Sequence, residues 1–195
     1  GSNKFGPGDF CPMLKYTLYA YHTDVTMNVI TLLNTGSAPY INTTGTNGVS
    51  RVRIFKDDGN GSFDGENSAD VVVGDVTLGS GNQSGLVSIP LTYAGSDGIQ
   101  ISSFNDTTTV HYPNDNSQVF FVAYNFGVGT TVGTTANVEI NDLSASANIE
   151  DVVVSLNLTG TLPVSTSPNT FVTIAGTTVY LESASSIAPS AGIQG

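Results

Sequence analysis

The 195-residue chain has no tryptophan, a single cysteine, and five basic residues against sixteen acidic ones. Each shortage excludes something. One cysteine, Cys11, rules out an internal disulfide and reads as a small buried apolar residue. Lys4, Lys15, Arg51, Arg53 and Lys56 are all the bases, and the formal net charge is −11. That is too few cations to hold a phosphate backbone, so nucleic acid is not an expected partner. No apolar run reaches the length of a membrane helix, and no signal peptide is visible, so the expectation is a mature chain without a membrane span. The missing tryptophan weakens a sugar-stacking role, although Tyr16, Tyr19, Tyr21, Tyr112 and Tyr124 remain as candidate platforms.

The chemistry of known catalytic motifs is missing too. His22 and His111 have no zinc-spaced partner, and neither a nucleophile elbow nor a phosphate loop occurs. Glu150 and Asp151 are adjacent, so on a strand they face opposite ways and cannot flank one bond. The expectation is a protein that is not an enzyme.

What the chain does have is Gly, Ser, Thr, Asn and Val. Only 11 % of residues are charged, while 39 % are hydrophobic and 22 are glycine. Thr and Val suit strands, and Gly, Asn and Asp suit turns. Alternating runs recur along the chain. Lys15 to His22 places Tyr16, Leu18 and Ala20 on one face. Asp24 to Asn34 alternates Val25, Met27 and Val29 before becoming continuously apolar, as a strand that starts half-exposed and ends in the core. Val49 to Lys56 points Val49, Val52 and Ile54 inward and Arg51 and Arg53 outward, with a bulge at Ser50. Strands also read at Asp70 to Leu78, at Gly85 to Leu91 (an edge, because of Pro90) and, weakly, at Gly98 to Phe104. Ser117 to Phe126 is the most apolar run and is expected at the centre. Thr134 to Leu143, with Ala136, Val138 and Ile140 inward, Ile149 to Thr159, and Thr170 to Glu182 complete the set. Thr35 to Gly48 and Asp106 to Asn116 read as polar loops. No amphipathic helix is apparent. The fold class is all-β: an antiparallel β-sandwich, immunoglobulin-like or jelly-roll-like, with an extended N-terminal arm. The expected organisation is an arm over residues 1–14, one sandwich over 15–182 and a small-residue tail over 183–195.

The stretch Lys56 to Asp70, KDDGNGSFDGENSAD, holds five of the sixteen acids. Ca²⁺ takes six to eight oxygens, and glycines let a loop fold its carboxylates inward. Against the EF-hand pattern, a frame from Asp58 puts Phe63 where Gly belongs. A frame from Lys56 aligns Asp58, Asn60, Gly61 and Asp64 but starts on a base. The competing reading is an acidic hairpin loop whose Asp-Gly and Asn-Gly steps supply positive φ. Clustered like charges with no base after Lys56 favour a neutralising cation.

The segments VRIFKDDGNGSFD and QVFFVAYNFGVGTTVGTTANVEIND together resemble β-sandwich domains of large secreted surface proteins of bacteria and archaea. The resemblance spans roughly Asp24 to Leu143. It implies an extracellular or cell-surface, non-enzymatic, calcium-bound structural module. It also implies that Asp58, Asn60, Ser62 (by its carbonyl) and Asp64 hold the ion, with Asp57, Glu66 or Asp70 closing the site.

Asn42, Asn82, Asn105 and Asn157 each open an Asn-x-Ser/Thr sequon, a glycosylation signal in an exported protein, and Asn60 opens another. The bases lie in the first 56 residues and only acids follow, an asymmetry that favours head-to-tail association. The expected function is a structural subunit of an extracellular assembly (filament, sheath or surface layer) stabilised by Ca²⁺. Its expected partners are copies of itself, joined by β-strand addition through the apolar segment containing Phe10, Cys11, Leu14, Tyr16 and Leu18. For that segment, the competing reading is a strand folded into its own sheet. For the function, the alternative is a calcium-dependent adhesin or carbohydrate-binding domain whose partners are glycans.

Overall fold

The structure, a computed structural model, describes residues 10–21, 24–40, 48–65, 69–79, 85–104, 118–127, 130, 136–149, 152–157, 170–174 and 177–186. Among them there is no helix. The strands in chain order are β1 (Phe10–Tyr21), β2 (Val25–Asn34), β3 (Val49–Lys56), β4 (Val71–Thr77), β5 (Leu86–Pro90), β6 (Thr92–Tyr93), β7 (Ser96–Asp97), β8 (Ile99–Ile101), β9 (Ser103–Phe104), β10 (Gln118–Phe126), β11 (Val138–Ile149), β12 (Val152–Asn157), β13 (Thr170–Ile174) and β14 (Thr177–Ser186).

They form two main sheets and a small β6–β7 hairpin. The first sheet runs β13-β14-β1-β10-β3-β4, with β9 beside the end of β1. The second runs β12-β11-β2-β5, with β8 continuing beside β2. Neighbours are antiparallel except β9, which runs parallel to β1. The chain passes from one sheet to the other at β1–β2, β2–β3, β4–β5, β8–β9, β10–β11 and β12–β13, and the inward faces of both sheets share one core. This is the β-sandwich that the alternating pattern predicts.

The core explains which residues form it. Tyr16, Leu18 and Ala20 of β1, Val52 and Ile54 of β3, Phe120, Val122 and Tyr124 of β10, and Val138 and Ile140 of β11 are all buried. β10 lies between β1 and β3, the central place its composition predicts, and β5 ends its sheet, as Pro90 predicts. Ser50 is skipped where Arg51 pairs with Asn125 and Val49 with Phe126, so the bulge stands there.

Several strands differ from the sequence reading, the weak run Gly98 to Phe104 among them, which divides into β8 in one sheet and β9 in the other. In β2 the alternation Val25, Met27, Val29 breaks. Met27 pairs with Ala145 and Val29 with Ser144, leaving Asn28 as a bulge. A one-residue insertion reverses which face each later side chain takes. Val29 therefore turns partly out and Ile30 and Leu32 turn in, and the strand already has a buried side at Val25 while its last two residues are half-buried. The run Thr170 to Glu182 is two strands, β13 and β14, paired from Thr170–Leu181 to Ile174–Thr177. Lastly, β1 starts at Phe10, inside the segment read as an arm, and β14 continues to Ser186, inside the segment read as a tail.

The loop read as polar between Thr35 and Gly48 also contributes to the core. Ala38 and Tyr40 are buried, and the Tyr40 hydroxyl lies 2.8 Å from that of Tyr124. Burial pushes both phenols above their ordinary pKa; the shared hydrogen bond partly offsets this at Tyr40 and adds to it at Tyr124. Each hydroxyl satisfies the other. Tyr40→Phe or Tyr124→Phe alone strands a buried hydroxyl and is expected to cost about 1–3 kcal/mol. The double variant should cost less than the sum, measured as the denaturant midpoint of the full cycle. Fully additive losses would show that the two hydroxyls do not depend on one another.

Candidate functional site: the acidic loop between β3 and β4

Apolar anchoring fixes this loop in place. The sequence VFFVAY sends Phe120, Val122 and Tyr124 into the sandwich and leaves Phe121 and Ala123 on the opposite face. There they join Phe55 of β3 in a second, smaller buried cluster, with Phe10, Val119 and Phe63 packed against it. Phe63 comes from the loop itself. Its ring meets Phe55 edge-on at 5.1 Å and Phe121 at 5.6 Å between centroids. The residue that spoils the EF-hand frame is thus the residue that docks the loop on the sheet.

Polar bonds then set the loop's path. Asp57 N–H still donates to Val119 O, extending the ladder by one residue. The Asp57 carboxylate accepts from Gly59 N (2.9 Å) and Gly61 N (3.0 Å). Asp58 Oδ1 accepts from Asn60 N, and Asn60 Oδ1 from Ser62 N. These side-chain turns tighten a backbone that passes through positive φ at Gly59, Gly61 and Gly65. Asn60 Nδ2 donates to Asp64 Oδ2 at 2.6 Å. Asp70, only 5 % exposed, closes the loop by accepting from Asp58 N and Asp64 N.

The result brings Asp57, Asp58 and Asp70 together, each offering an oxygen within 4.8 Å of the others. Ca²⁺–oxygen bonds are about 2.3–2.6 Å, so oxygens across one ion stand roughly 4.6–5.2 Å apart. The three carboxylates are spaced so that they could hold a single hard cation. Asp64 is not in this group; it is held against Asn60. Ser62 is exposed beside it. Glu66 lies outside the described residues, as do Lys4, His22, Asn42, Asn82, Asn105, His111, Tyr112, Glu150 and Asp151. Asn157 is the last residue of β12, paired with Ser144.

A base does reach the loop, from a direction that sequence order hides. Lys15 of β1 pairs with Phe121 on β10, and its Nζ crosses that ring at 5.8 Å to donate to Gly61 O at 2.7 Å. Lys56 turns away, over the Tyr93 ring at 4.6 Å. Arg53, expected outward, does leave the core, but its guanidinium lies 4.5 Å from the Phe10 ring, and the residue is buried. Arg51 and Arg53 both donate to Asp75. Burial raises the Asp75 pKa, but the two arginines outweigh it and hold the carboxyl below its ordinary value.

The assembly-arm residues need correction. Cys11, Leu14, Tyr16 and Leu18 are buried in this chain's own fold, with Phe10 half-buried. β1 pairs with β10 along one edge and β14 along the other. The competing reading, a strand folded into its own sheet, is the one the structure adopts, because two neighbours satisfy both backbone edges. Burial pushes the Cys11 thiol up to about 12, which leaves it an unreactive core residue. Tyr16 and Tyr124 are buried as well, so neither ring can stack on a sugar.

The chain matches no family model, no curated protein and no solved structure. No helix among the described residues is long and apolar enough to cross a membrane.

Proposed function

We propose that this chain is a non-catalytic structural subunit of an extracellular assembly, a filament, sheath or surface layer, in which Ca²⁺ stiffens the loop between β3 and β4. The observation carrying the reading is the convergence of Asp57, Asp58 and Asp70 on one point of a loop already fixed by Phe63. All the ligands on offer are hard oxygens, which suit Ca²⁺ and not a soft metal. The ion would sit at the connection of two adjacent strands, where it neutralises three clustered charges.

Copies join by β-strand addition in this reading. With β1 engaged in its own sheet, the receiving places are the sheet ends. Among the described strands, β13 (TFVTI) and β12 (VVVSLN) each end their sheet and carry no charged residue of the kind that discourages edge pairing. A strand from a second copy added there would propagate as a filament unless rotation closed a ring.

The calcium half is tested by melting the full chain with Ca²⁺ and with chelator. Binding to the folded state alone adds about 2.7 kcal/mol at a hundredfold excess over Kd. Asp58→Ala is the informative variant, because Asp58 is exposed and its carboxylate accepts a local hydrogen bond from Asn60 N. It should abolish the Ca²⁺ response and leave the metal-free melting temperature nearly unchanged. A melting temperature indifferent to chelator reduces the loop to a hairpin turn. Electron microscopy of the purified protein tests the assembly half, with dispersed monomers as the outcome against it.

A further inference from the structure

Asn60 precedes Gly61, and the structure surrounds this step with the groups that a known self-reaction of asparagine requires. In that reaction the following backbone nitrogen attacks the side-chain carbonyl carbon. Glycine permits it best, since no Cβ hinders the approach. The attacking nitrogen must lose a proton, the carbonyl oxygen must accept negative charge, and the amide nitrogen must leave.

Two of these needs have a partner here, and the amide nitrogen is held in place. Gly61 N, the nucleophile, donates to both carboxylate oxygens of Asp57 at 3.0 Å. Asn60 Oδ1, where charge develops, accepts from Ser62 N at 2.7 Å. Asn60 Nδ2, the departing nitrogen, is 2.6 Å from Asp64 Oδ2. Asn60 is exposed, so water reaches it. A Cβ on Gly61 would meet no atom nearer than Lys15 Nζ at 3.6 Å. The arrangement has two parts of an acyl-transfer site, an acceptor on the nucleophile and a donor on the developing oxyanion, while Asp64 orients the side-chain amide.

We propose that Asn60, in the loop without a bound cation, is a self-modification site that deamidates through a cyclic imide, with the Asp57 carboxylate that accepts from Gly61 N as proton acceptor. The Gly61 nitrogen gives its proton to Asp57 and bonds to Asn60 Cγ. The Cγ–Nδ2 bond breaks, and the nitrogen departs as ammonia, taking up that proton. Water then opens the imide at either carbonyl, leaving aspartate or isoaspartate at position 60. The balance is one water consumed and one ammonia released, with no oxidant or reductant. The product replaces a donor to Asp64 with a carboxylate that repels it, so the loop loses a cross-link and gains a negative charge.

The chain holds its own comparison, because Asn47 also precedes a glycine. Gly48 N is buried against the neutral Thr130 hydroxyl, which accepts its hydrogen bond at 3.0 Å and is a poor base. The test incubates the full chain at mildly alkaline pH with chelator, folded and in urea, and follows both steps by peptide mass spectrometry. The expected result is conversion of Asn60 several-fold faster than Asn47, and faster folded than in urea. Asp57→Ser should bring the Asn60 rate down to the urea value. Should that variant fail to fold, the folded-to-urea ratio of the wild type decides alone. An Asn60 that stays intact in the folded chain, or converts no faster than in urea, overturns the proposal.

Discussion

Gly48→Ala should unfold this protein at a much lower temperature than any surface substitution. Gly48 sits at φ +83°, and a Cβ there would overlap the Pro39 carbonyl oxygen. The obstacle is backbone and cannot swing aside. That oxygen also accepts the Val49 N–H at 2.9 Å, and Gly48 O accepts from Gly127 N. Moving Pro39 therefore breaks the contact that seats Tyr40 in the core. The left-handed conformation costs roughly 1–2 kcal/mol for a non-glycine residue. Stranding a buried hydrogen-bonding group adds about 1–3 kcal/mol. A total on the order of 4 kcal/mol corresponds to a fall of roughly 8–16 °C for a domain this size. Gly59→Ala is the control, with positive φ but no atom within 4 Å of its Cβ. It should show only the conformational cost. Equal melting temperatures for the two variants would mean that the Pro39 contact is not constraining.

Phe55→Ala should have the next largest effect, on stability and on the acidic loop together. Phe55 is fully buried, yet outside the main core; it packs with Phe121 and Ala123 on the far face of the sheet. Truncating a buried phenylalanine costs about 3–5 kcal/mol. It also removes the ring that Phe10 and Phe63 meet edge-on, at 6.0 and 5.1 Å. Phe63→Ala should cost less, because Phe63 is only half-buried. It should still free the loop, read as faster hydrogen exchange at the Gly61 and Asp64 amides. An exchange pattern unchanged in both variants would show that the polar bonds hold the loop without its apolar anchor.

Legibility in the sequence followed range. Strict alternation over one strand was readable: Tyr16, Leu18 and Ala20, or Val138 and Ile140, could be assigned inward because a strand's period is fixed. The bulge at Ser50 showed because the alternation breaks between Val49 and Val52, whereas Asn28 sits inside an unbroken Val25, Met27, Val29 alternation and only the pairing with β11 reveals it. Tyr40 looked like part of a polar loop, and only its ring among Ser, Thr and Asn hinted otherwise. The acidic loop was legible as a cluster of acids. Which acids converge was not, because Asp70 enters the group through bonds to the Asp58 and Asp64 amides. Lys15 was invisible as a loop contact, since 46 residues separate it from Gly61. Phe63 counted against a motif when its actual partners were two strands of the sheet below.

The position of β1 has a consequence for how the chain becomes a protein. Its antiparallel partners, β10 and β14, begin at Gln118 and Thr177, so the first described strand waits for the last. A ribosome emitting this chain in order would release β1 long before either neighbour exists. Contacts so distant in sequence must repay a large loop-closure entropy before they stabilise anything, which makes assembly slow. Until then Leu14, Tyr16 and Leu18 remain uncovered, and the newborn chain is at its most adhesive before its sheet can close.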